Sequence, residues 1–103
     1  MRLIVLALLF SMFSYGQDIT TVHFNYKWNE TNSFSRLDRL KNTKVQYAFV
    51  EDQSDNIKKS IKSVPTIVIY NNNKPVARFE AGLTMRISVS LDSIQAVINK
   101  YKR

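Results

Sequence analysis

Ile61-Lys62-Ser63-Val64-Pro65-Thr66-Ile67-Val68-Ile69-Tyr70 is the stretch from which the fold can be read. Thr66 to Tyr70 is continuous, β-branched and apolar, as suits a strand covered on both faces. Pro65 cannot donate to a ladder and stands just before it. Working back, Ser54 is a good N-cap, Ile57 and Ile61 pair at i,i+4, and Asp55 opens the turn that Lys58, Lys59 and Lys62 close. That charge order matches a helix dipole and predicts a short helix. Working forward, Asn71-Asn72-Asn73-Lys74 is a turn, because Asn tolerates positive φ. Pro75 to Glu80 then reads as a return strand that ends before Gly82. Leu91, Ile94, Val97, Ile98 and Tyr101 mark a final amphipathic helix, capped by Ser88 or Ser90.

Further upstream, Ile19 to Phe24 is β-branched and aromatic, and reads as a strand. Phe34, Leu37 and Leu40 recur every three residues, with Arg36, Arg39 and Lys41 off that stripe. This predicts a helix, capped from Asn29 to Asn32 and closed by Asn42-Thr43. Val45 to Val50 is another strand. The order is β-α-β-α-β-β-α, an α/β chain with a four-stranded mixed sheet and helices on both faces. Strands separated by helices are expected to pair in parallel. The last two, joined by four turn residues, are expected to pair antiparallel.

The N-terminus carries a different signal. Arg2 precedes eight unbroken apolar residues, Leu3 to Phe10, and Ser14 and Gly16 occupy the −3 and −1 places of a cleavage site before Gln17. This is the pattern of a signal peptide over 1–16, leaving a domain over 17–103 that is exported, periplasmic or secreted. The run is too short for a bilayer span, which needs ~20 apolar residues. Eight apolar residues also fit a buried first strand, in which case the chain is cytoplasmic.

Composition narrows the chemistry. The 103 residues hold no Cys, one His and two Gly. This excludes a disulfide, a thiolate metal site, a Cys nucleophile and a Gly-rich phosphate loop. His23, Glu30, Asp52 and Asp55 have no recognised ligand spacing, so no metal or other cofactor is implied. The net charge of +7, from 15 Lys and Arg against 8 Asp and Glu, favours acidic partners weakly. Asn29-Glu30-Thr31 fits the N-glycosylation pattern.

Two segments carry a family resemblance. Phe24-Asn25-Tyr26-Lys27-Trp28-Asn29-Glu30-Thr31-Asn32 resembles the active-site segment of thioredoxins, in which Phe ends a strand and Trp follows four residues later, before Cys-x-x-Cys. Ile61-Lys62-Ser63-Val64-Pro65-Thr66 is similar to the family's Ile-x-x-(Ile/Val)-Pro-Thr motif, and Phe79-Glu80-Ala81-Gly82 to its last strand end. The resemblance spans residues 19–101 and implies a thioredoxin-like fold with a cis Pro65. The family's first strand and helix are missing if Leu3 to Phe10 is a signal, and the loop after Gly82 is longer. Asn29 and Asn32 stand where the cysteines would be. Thiol–disulfide exchange needs an attacking thiolate and a resolving thiol, and an amide supplies neither. His23 takes the place of a buried Asp that serves the dithiol in the family.

The resemblance implies a groove in which an extended peptide pairs with backbone, formed by Trp28, Asn29, Glu30, Asn32, Val64, Pro65 and Thr66. Trp28 is either a contact residue or a lid over the site, and Asn29 with Asn32 either a helix cap or an amide contact. His23 is either a pH-sensitive group or a hydrogen-bonded strand residue. The leading expectation is a redox-inactive, non-enzymatic module that binds a protein or peptide. One alternative is a binder of nucleic acid or anionic surfaces, using Arg36, Arg39, Lys41 and Lys44 on one helix, Lys58, Lys59 and Lys62 on another, and Lys100, Lys102 and Arg103 at the end. The other is an enzyme built on His23 and Glu30.

Overall fold

The structure, a computed structural model, describes residues 18–83 and 85–102. The signal reading of 1–16 lies outside them. Four strands, β1 (Ile19–Asn25), β2 (Lys44–Phe49), β3 (Thr66–Asn71) and β4 (Lys74–Glu80), form one mixed sheet in the order β2-β1-β3-β4. The two inner strands are the apolar ones. All seven residues of β1 are buried, whereas the edge strands β2 and β4 are half exposed.

Side chains alternate across β1, as the pleat requires. Ile19 packs on one face with Ile67, Ile69 and the helix α2 (Leu91–Tyr101), which contributes Ile94 and Ile98. Val22, Phe24 and Val68 pack on the other with Val50, Ile61 and Val64, against which Ile57 of α1 (Asp55–Ser60) rests. Each helix thus covers one face. Ser54 Oγ accepts from the Ile57 N–H and Ser90 Oγ from the Ser93 N–H, so both helices begin on the serine caps expected of them. The β3–β4 hairpin turns through Asn72 (φ 53°) and Asn73 (φ 74°). Two central residues at positive φ give the hairpin the twist its strands need.

Two expectations fail. First, β1 and β2 are parallel, but β3 lies on the other side of β1 and runs antiparallel to it. A parallel return must carry the chain back along a strand of about 20 Å. The six-residue α1 spans only about 9 Å. The chain therefore re-enters the sheet near the end it left and runs back. Second, no α-helix forms over Phe34 to Leu40. The connection holds 3₁₀ turns at Lys27–Asn32 and Leu37–Arg39 instead. A spacing of three is the 3₁₀ period, and the stripe lacks the i+4 apolar partner that an α-helix buries. The core assignment survives the change of conformation, because Phe34, Leu37 and Leu40 are all buried.

Candidate functional site

The turn that follows β1 holds the residues singled out by sequence. Tyr26 and Trp28 stack, with ring centroids 5.9 Å apart and planes 14° apart. Trp28 remains 64% exposed, so it covers nothing as a lid would. Across from it the Val64–Pro65 peptide is cis. The Pro65 carbonyl accepts from the Ala81 N–H at 3.1 Å, and Thr66 Oγ1 donates to the Ser63 carbonyl at 2.6 Å. Between the two lies a groove of about 350 Å³, walled by Tyr26, Trp28, Ile61, Val64, Leu83 and Met85. Leu83 and Met85 come from the loop before α2 and are strongly exposed.

The predicted groove residues do not all meet there. Trp28 and Val64 line it. Pro65 and Thr66 are buried behind it. Glu30 lines a different cleft, of about 320 Å³, with His23 and Tyr47. Asn32 lines a third pocket. Asn29 is only 3% exposed and belongs to the interior.

Asn29 and Asn32 cap no helix. They form a chain of amides with Asn25, at the end of β1. Asn25 Nδ2 donates to the Asn29 carbonyl (2.9 Å) and to Ser33 Oγ (3.0 Å), and Asn25 Oδ1 accepts from the Tyr26 N–H and from Asn29 Nδ2. Asn29 Nδ2 also reaches the Met85 carbonyl at 3.4 Å, Asn32 Nδ2 donates to Asn29 Oδ1 at 2.7 Å, and Arg86 Nε donates to Asn32 Oδ1 at 3.1 Å. The amides hold the turn where no backbone ladder does. They also occupy the Asn29 nitrogen that glycosylation would need, so that motif is closed in the folded domain. Asn25, Met85 and Arg86 were missed by sequence reasoning. The Asn25/Asn29/Asn32 spacing was the only available sign of them.

His23 is 1% exposed. Its Nε2 accepts from the Phe34 N–H at 2.9 Å, and Tyr47 Oη donates to the Phe34 carbonyl at 3.2 Å. Both polar backbone groups of Phe34 are therefore satisfied by side chains from β1 and β2. Burial pushes the imidazole down from 6.5 to about 4, against a smaller opposite pull from a backbone hydrogen bond. Neutral His23 with its Nε2 lone pair engaged is a strap for an irregular connection. It is not placed as a free base for Glu30 chemistry.

The basic residues are dispersed as well. Arg36, Arg39, Lys41 and Lys44 share no helix; they fall on a 3₁₀ turn, the loop beside it and β2. Lys44 lies 4.0 Å from Asp18, at ion-pair distance. Among the described residues no three acidic or His side chains converge as a metal site, and no helix is long and apolar enough to cross a membrane.

Solved structures share this architecture. A thioredoxin variant from Halobacterium salinarum superposes with a TM-score of 0.62 at 17% identity, over 84% of this chain and 76% of that one. Thioredoxin-2 of a malaria parasite gives 0.60 at 20% identity, over 87% and 89%. The thioredoxin of Fasciola hepatica gives 0.55 at 16% identity, over 82% of both. No family model matches the sequence, and no curated protein does. The likeness is one of fold: a thioredoxin-like fold without the cysteine pair.

Proposed function

We propose that this thioredoxin-like chain is a redox-inactive, non-catalytic binding module that holds an extended, apolar peptide in the groove between Trp28 and the Val64–Pro65 loop. The chain has no cysteine, so it supplies no thiolate for disulfide exchange. The observation that carries the reading is the clustering of exposed apolar side chains. Four large hydrophobic residues stand well exposed among the described residues, Trp28, Tyr47, Leu83 and Met85, and three of them border this one groove. Such a patch on a small domain marks an interaction surface.

Two further features support a peptide as the occupant. Among the described residues the Val64 backbone makes no hydrogen bond, which leaves an edge for an extended chain to pair with. Met85 is held at φ 59° by a turn in which its N–H donates to the Gly82 carbonyl. A left-handed conformation costs a non-glycine residue ~1–2 kcal/mol, and strain of this kind gathers at binding sites. We place the module outside the cytoplasm, on the strength of the N-terminal apolar run.

A peptide library displayed against the purified protein tests this. Enriched sequences should be apolar and should shift the Val64 amide resonance. Trp28→Ala should weaken them at least tenfold without unfolding the domain. Enriched peptides that leave Val64 unmoved and tolerate Trp28→Ala would refute the groove. Export is read separately, by N-terminal sequencing of the mature chain, with Gln17 expected as the first residue.

A further inference from the structure

A second pocket, of about 380 Å³, is bounded by residues 31–36 and by Arg86 and Ile87, and shares no lining residue with the apolar groove. Its wall is polar. Thr31, Ser35, Arg36 and Arg86 lie along it, and no carboxylate does; the Ser33 hydroxyl is taken by Asn25. Neither arginine is ion-paired among the described residues.

Both guanidinium groups are held in place by neighbours that leave most of their donors over. Arg36 lies over the Phe34 ring, 4.8 Å from its centroid, and that ring is itself anchored in the core. The attraction of the cation to the ring face is electrostatic and holds the guanidinium beside the pocket. Arg86 donates through Nε to Asn32 Oδ1, and Asn32 is fixed in turn by the buried Asn29. Of the five N–H donors an arginine carries, that bond engages one and leaves the four on the terminal amino groups.

We infer that this pocket binds a phosphate dianion, supplied as free phosphate or as the end of a small phosphomonoester. Two guanidinium groups on one pocket wall match a doubly charged oxyanion, and guanidinium–phosphate hydrogen bonds are among the strong ones. Thr31 and Ser35, on the same wall, carry further hydroxyl donors. The pocket is open to solvent, which leaves room for the organic part of an ester. The net charge of +7 raises the local concentration of anions. The site does not depend on the peptide reading of the groove.

The test is a titration of the full-length protein with inorganic phosphate at constant ionic strength, following the Nε–Hε resonances of Arg36 and Arg86. Both should shift and saturate. Arg36→Gln and Arg86→Gln should each weaken binding at least fivefold, and the double variant should abolish it. Lys58→Gln removes one positive charge from α1 and should leave the affinity within twofold. Glycerol 1-phosphate distinguishes the sources. Binding at least threefold tighter than phosphate assigns the site to esters, and equal binding assigns it to the free ion. Shifts that rise linearly without saturating would overturn the proposal, because they report diffuse attraction to a basic surface. So would an equal loss on Lys58→Gln.

Discussion

β1 and β2 run parallel, so the connections that follow them, 26–43 and 50–65, leave from the same end of the sheet, yet they are built on opposite plans. The second contains α1, which satisfies its own backbone: Lys58 N–H donates to the Ser54 carbonyl, and Ile61 N–H to the Ile57 carbonyl. The first has only 3₁₀ turns and is tied down by side chains, the buried Asn25, Asn29 and His23 and the hydroxyl of the exposed Tyr47. The two touch where the Lys27 N–H meets both Glu51 carboxylate oxygens at 3.1 Å. Where backbone satisfies backbone, few polar side chains are needed to complete it. Where buried side chains do that work, each removal orphans a polar group at a cost of ~1–3 kcal/mol.

The contrast can be broken by measurement. Leu37, fully buried in the first connection, should cost ~2–5 kcal/mol when changed to Ala, read by urea unfolding. The next effect is pH. His23 is buried neutral with its pKa lowered to about 4. The unfolded chain, in which an unperturbed His titrates near 6.5, therefore binds more protons through that window. Stability should fall as pH drops from 7 toward 4, by roughly 3 kcal/mol, and this contribution should level off below 4. His23→Leu should flatten that slope and cost ~1–3 kcal/mol at pH 7, since it strands the Phe34 N–H. A slope unchanged in the variant would place the titration elsewhere.

In the second connection, Ser54→Ala should cost only ~1 kcal/mol, the ordinary worth of a helix cap. If it matched His23→Leu at pH 7, the two connections would not differ in kind. Smallest of all, Trp28→Ala should move stability by no more than ~0.5 kcal/mol, because the indole is largely in solvent. Peptide binding would then be weakened at least tenfold in a protein as stable as before.

The local features were legible in the residues. The Asn pair of the hairpin, the serine caps of both helices and the unbroken apolar run of β3 each depend on neighbours a few positions apart. The irregular connection was harder to read, because Phe34, Leu37 and Leu40 are buried equally well by a 3₁₀ path and by a helix. The site was half legible. Trp28 and Val64 announced themselves by motif, while Leu83, Met85 and Arg86 looked like ordinary loop residues. Met85 and Arg86 reach Asn29 and Asn32 across more than fifty residues of chain.

By itself the sequence determined which segments become strands, which side chains enter the core, and that no thiol chemistry is available to this chain. Periodicity, capping and the absence of an element are local properties, and they survive without knowledge of the fold. Tertiary structure alone decided that β3 runs antiparallel to β1, that His23 is a strap, and that the amides at 29 and 32 close into a chain ending on Arg86. Those outcomes depend on how far a six-residue helix can carry the backbone, and on which unpaired donors the buried polar groups then meet.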